Sequence, residues 1–186
     1  MKKCTSYIIF ALGLLLSIVG CNDTNKPLVA QWTLEESIGV AMPELHYASE
    51  NKIIFHGGFG LFIYDLSEMK IINSLDLESI GCDAIQSGNY CEVSVSQDGN
   101  TIQLHPMESD KMYIYDVGKN KLMQTDYKPM KEPFKVNTND NNPSGSVSWG
   151  TVEFANGDIG YLECEGSTIN ELYYVVGNNK YKLFNK

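Results

Sequence analysis

The side chains able to do acid–base, metal or thiol chemistry are three histidines (His46, His56 and His105) and five cysteines (Cys4, Cys21, Cys82, Cys91 and Cys164). His56 and His105 end two similar stretches, Asn51-Lys52-Ile53-Ile54-Phe55-His56 and Asn100-Thr101-Ile102-Gln103-Leu104-His105, offset by 49. Equivalent positions in a repeat read as strand-end residues rather than a metal pair. His56-Gly57-Gly58-Phe59-Gly60 carries backbone donors of the kind that line an oxyanion hole, but no Gly-x-Ser-x-Gly elbow accompanies it, so these glycines read as closing a hairpin. The spacing of Cys82 and Cys91, with no histidine beside them, is not a zinc pattern. Asn137, Asn139 and Asn141 alternate like calcium ligands, yet the sixth position is Asn142, not Gly, and the twelfth is Ser148, not Glu. Glu163 and Glu165 lie on one face of a strand and read as a solvated edge, and no glycine-rich phosphate loop with its lysine is present. The residues assemble no catalytic set, no metal site and no cofactor site, so a non-enzyme is expected.

The elements that carry these residues begin after residue 20. Met1-Lys2-Lys3 is a basic n-region and Tyr7 to Val19 an apolar run, shorter than the ~20 residues a spanning helix needs. The run ends in Ile18-Val19-Gly20-Cys21, which resembles a bacterial lipoprotein signal. That resemblance implies diacylglyceryl transfer to Cys21, cleavage before it, and a tether over 21–27. Asn22 is not the aspartate associated with inner-membrane retention, so the implied address is the periplasmic face of the outer membrane.

Cleavage leaves residues 21–186, a length that favours one domain, expected over 28–186. Without Lys2 and Lys3 the 14 basic side chains fall to 12 against 23 acids, a charge of −11. Such a balance excludes nucleic acid, which needs clustered Lys and Arg, and leaves the lipid as the sole membrane contact. It suits a basic protein partner and also serves solubility. With Cys4 lost and Cys21 lipidated, Cys82 and Cys91 flank a polar turn-bearing loop and are the expected disulfide, in a compartment that permits one. Cys164 is left as a small apolar residue.

The body of the chain repeats. Leu28 to Leu34 alternates as a first strand; three units follow. Tyr64-Asp65 recurs as Tyr115-Asp116 at an offset of 51, and Val117-Gly118-Lys119-Asn120-Lys121 recurs as Val176-Gly177-Asn178-Asn179-Lys180 at 59. In the second unit, strands are expected over Glu92–Ser96, Thr101–His105, Met112–Asp116 and Leu122–Thr125, with Asp98-Gly99 a hairpin turn. Offsets near 50 belong to propellers and related arrays. Ser94-Val95-Ser96-Gln97-Asp98-Gly99-Asn100-Thr101-Ile102 and Tyr113-Ile114-Tyr115-Asp116-Val117 resemble a blade of the WD or surface-layer (YVTN-like) β-propeller families, without the Trp-Asp pair of WD repeats. The expected fold is all-β: three four-stranded antiparallel propeller-like units plus an N-terminal strand. Three units are fewer than the usual four to eight blades; a body closing on itself is favoured over completion by a second chain.

Asp126 to Ser148 falls outside the pattern, and a connection of this length is either functional or disordered. Address, charge and architecture are similar to periplasmic immunity proteins that block type VI secretion amidase toxins. The resemblance implies a partner-binding loop in which Asn139, Asp140, Asn141, Ser144 and Ser146 offer polar contacts and Trp149 an apolar anchor. A structural or assembly lipoprotein and a small-ligand sensor are the alternatives.

Overall fold

The computed structural model describes residues 43–83, 91–138, 148–165 and 170–185. The expected leader, lipidated Cys21, tether and first strand Leu28–Leu34 lie outside them. Twelve strands form three four-stranded antiparallel sheets, each a meander of sequential strands. The first holds β1 (Glu44–Ala48), β2 (Lys52–His56), β3 (Gly60–Asp65) and β4 (Lys70–Asp76). The second holds β5 (Cys91–Val95), β6 (Thr101–Pro106), β7 (Lys111–Asp116) and β8 (Lys121–Asp126). The third holds β9 (Thr151–Glu153), β10 (Ile159–Glu165), β11 (Glu171–Val176) and β12 (Asn179–Asn185). All-β architecture and the strand count of each unit follow the expectation.

Side-chain patterning decides where each sheet sits. Ile53-Ile54-Phe55 and Leu61-Phe62-Ile63-Tyr64 are unbroken apolar runs, and every one of these residues is buried. A strand with both faces apolar must be covered on both faces. The first sheet accordingly feeds two cores. Leu45, Ile53, Phe55, Phe62 and Tyr64 pack with Leu162, Leu172 and Tyr174 of the third sheet. Tyr47, Ile54, Leu61 and Ile63 pack with Val95, Ile102, Leu104 and Tyr115 of the second. Strands of the outer sheets alternate, so Ile102 and Leu104 turn inward while Thr101 and Gln103 line an open groove.

Turn chemistry explains the recurring phrases. Asp65 Oδ1 accepts the backbone N–H groups of Ser67 (2.8 Å) and Glu68 (2.9 Å), and Asp116 Oδ1 accepts that of Lys119 (2.9 Å). These are Asx-type turns, and each is followed by a left-handed residue, Met69 or Asn120. In the third sheet Val176 pairs directly with Asn179, leaving the two-residue turn Gly177-Asn178. A turn that short needs no carboxylate cap, which accounts for the missing aspartate.

Part of the stretch outside the repeat, read from sequence as either functional or disordered, is described, and it packs against the sheets. Beyond β8 the chain borders the open face of the second sheet, where Met130, Lys131 and Glu132 help line the groove. The Gln97 side-chain amide donates to the carbonyls of Glu132 and Pro133. Phe134 N–H then donates to Val95 O (2.7 Å), its ring meets Tyr47 at 4.6 Å, and its side chain packs on both cores. Asn137 finishes the crossing in an antiparallel bridge with Thr151.

Candidate functional site

The first strand of the first sheet is where the molecule converges: β1 lies against β5, β9 and β10. At its start, Trp149 forms a parallel bridge with Glu44. Trp149 N–H donates to Pro43 O at 3.0 Å, and Leu45 N–H donates to Trp149 O at 2.9 Å. The next residue must pass close over Leu45. Gly150 does so at φ +87°, and a Cβ there would collide with Leu45 O. The Trp149 backbone is thus locked into the sheet while its indole stays 42% exposed.

Beside it lies a cluster that a sequence without pairing registers does not reveal. Glu44 pairs with His56 and Leu45 with Phe55, but the next pair is Tyr47 with Ile54. His46 is the extra residue of a β-bulge. Bulges re-aim side chains, and this one puts Tyr47 in the opposite core from Leu45. It also brings His46 onto His56. The two rings stack with centroids 4.8 Å apart, and His46 Nε2 lies 2.6 Å from His56 Nδ1, one nitrogen donating to the other. Burial holds both imidazoles below their ordinary value, His46 further lowered by its neighbour and His56 brought to about 4, so both are neutral at pH 7. Burial also raises the Glu44 carboxyl. Ligand atoms of Glu44, His46 and His56 all lie within 4.8 Å of one another, and these are the residues able to hold a metal ion among those described.

The remaining expected site residues divide. Cys82 and Cys91 are brought together, Cys82 buried, and a hydrogen bond to Cys91 together with burial pushes the Cys82 thiol up. The two residues expected to form the disulfide are thus neighbours, and both are thiols in this structure. Asn139, Asp140, Asn141, Ser144 and Ser146 lie outside the described residues. Glu163 and Glu165 bind one cation: Lys180 Nζ reaches each at 2.7 Å and sits 4.0 Å over the Tyr173 ring, a solvated face as expected. Elsewhere, an open groove of about 980 Å³ lies on the outer face of the second sheet, lined by Gln103, Met112, Ile114, Thr125 and Tyr127 among others.

Sequence reasoning missed His46 because it reads as an ordinary strand residue until the bulge is known. The signal available was its spacing of two from Glu44, which places both on one strand face. No protein-family model matches the chain, and no curated protein matches it in sequence.

Proposed function

We propose that this chain is a non-catalytic periplasmic lipoprotein that binds a protein partner, most specifically an immunity protein inhibiting a cell-wall hydrolase delivered to the periplasm. Its three meanders are read as propeller-like units, a reading supported by the meeting of β1 with β5 and β9. The observation that carries the binding reading is Trp149. An indole held by two backbone hydrogen bonds and still exposed costs little further entropy to dock, and tryptophan is enriched among residues that dominate interfaces. The preceding residues supply the polar contacts in this reading, Asn139, Asp140, Asn141, Ser144 and Ser146 around the Trp149 anchor. The acidic balance favours encounter with a basic enzyme.

The test is protection. A hydrolase encoded beside this chain is directed to the periplasm with and without it, and lysis is followed. Protection by the wild type and its loss in Trp149→Ala, with thermal unfolding unchanged, supports the reading. Lysis despite a folded, correctly exported wild-type chain sinks it.

An assembly lipoprotein acting through its sheet edges is the second reading. It is favoured by Met69, Ile71 and Ile72, which are exposed at the outer edge of the first sheet. Crosslinking from Ile72 to a stable envelope complex, with no hydrolase inhibited, would select it.

A further inference from the structure

We propose that Glu44, His46 and His56 form a binding site for one divalent transition-metal ion of the zinc class, with His46 Nε2, His56 Nδ1 and a Glu44 carboxylate oxygen as ligands. Glu44 and His56 face each other across β1 and β2, and the bulge inserts His46 beside them, so backbone pairing aims all three donors at one point. Neither histidine nitrogen in the contact has another partner among the described residues, and Glu44 faces no cation there. Glu44 is half-buried, and a partly desolvated carboxylate without a cation carries a cost that a divalent ion offsets.

The internal repeat supplies the contrast. Glu92 and His105 occupy the same paired positions on β5 and β6, but that register has no bulge: Ser94 corresponds to Tyr47, and His46 has no counterpart. His105 is otherwise engaged: Nε2 meets Ser109 O at 2.9 Å, Nδ1 lies 3.8 Å from Glu92, and the ring stacks on Tyr127 at 3.7 Å. One copy of the Glu–His pair is satisfied by the protein. The other gained a second histidine by insertion and is left with a donor set of two imidazoles and a carboxylate.

That donor set selects zinc, copper or nickel over calcium or magnesium, which prefer oxygen alone. Around tetrahedral zinc, with Zn–N bonds of ~2.0–2.1 Å, neighbouring nitrogens stand roughly 3.3 Å apart. The 2.6 Å contact must therefore open by about 0.7 Å, which rotation of the two rings supplies. The ring that donates in the histidine contact takes its other tautomer, so that both lone pairs face the ion. Three protein ligands leave a fourth position for water or a partner's side chain, next to the strand position of Trp149. The site stands whether or not the chain is an immunity protein.

The test uses the full chain, stripped with chelator and titrated with Zn²⁺ and with Co²⁺. One ion per chain is expected, with a higher thermal midpoint and Co²⁺ bands free of thiolate charge transfer. His46→Gln and His56→Gln should weaken Zn²⁺ by more than the ~10–100-fold that outer-shell changes cost. His105→Gln should leave affinity unchanged. Unfolding of each variant in chelator separates lost binding from lost fold. Should the histidine variants fail to fold, Glu44→Gln decides, and wild-type affinity in it overturns the proposal. No binding by the wild type, equal loss in His105→Gln, or strong thiolate absorption placing the ion on Cys82 and Cys91 overturns it as well.

Discussion

Two cross-strand pairs, Glu44 with His56 and Glu92 with His105, occupy the same place in successive repeats and have diverged in environment. In the second sheet the histidine is stacked on Tyr127 and hydrogen-bonded to Ser109, and Glu92 is well exposed. In the first sheet a single extra residue, the buried His46, turns the half-buried pair into a triad. An insertion of one residue does two things at once here. It recruits a donor, and because the bulge absorbs it the strand beyond keeps its alternation, with Tyr47 in one core and Leu45 and Ala48 in the other.

The severest way to break this comparison is to excise His46. Excision closes the bulge and leaves Leu45 and Tyr47 adjacent on opposite faces, the register they already keep with Phe55 and Ile54. Zn²⁺ binding should be lost altogether as the first sheet takes on the regular register of the second, while thermal unfolding in chelator stays cooperative. A second perturbation, Gly150→Ala, tests the crossing that has no counterpart in the second sheet. The left-handed backbone alone should cost about 1–3 kcal/mol, and the clash with Leu45 O adds to it, read as a shifted urea midpoint at constant m.

A third change weighs the two histidines directly. In chelator, His56→Leu leaves a buried His46 nitrogen unpartnered and should cost about 1–3 kcal/mol. His105→Leu gives up one hydrogen bond in a half-buried setting and should cost about 0.5–1.5 kcal/mol. Equal costs would mean that the two environments do not differ energetically.

The smallest effect concerns the paired turns. The Asp65 carboxyl is held below 3.8 by hydrogen bonds from the Ser67 hydroxyl and the Glu68 N–H, and Asp116 by the Lys119 ammonium and N–H. A carboxyl depressed in the fold contributes stability that is complete above its unfolded value. That contribution is lost as pH falls through the folded value. Asp65→Asn and Asp116→Asn should each slightly flatten the decline of stability below pH 3.8, by similar amounts, as measured by thermal midpoints across acid pH.

The repeats were legible because turn chemistry is local. Asp98-Gly99, Tyr64-Asp65 and Tyr115-Asp116 mark hairpins through backbone geometry that a short segment imposes on itself. All the strands expected in the second unit end within one residue of those observed. The Glu44–His46–His56 cluster was not legible, because register is a property of two strands and the bulge is written in neither. Phe134 was hidden for a related reason. A lone aromatic in a proline-bearing polar stretch gives no period, and its role appears only when two cores are present to receive it. Trp149, expected from sequence as an apolar anchor, has an exposed indole, and its strand-like pairing with β1 depends on a partner strand that the local sequence does not name.

The double-sided first sheet bears on how the chain is made. Its strands leave the ribosome before either covering sheet, with apolar residues on both faces and no local way to shield them. At synthesis rates of ~5–20 residues per second, the interval from the end of β4 to the end of β12 is roughly 5–20 s. During that time the most hydrophobic part of the molecule waits for its last partner. Truncations that remove the third sheet should therefore leave one face of the first uncovered, and aggregate rather than fold.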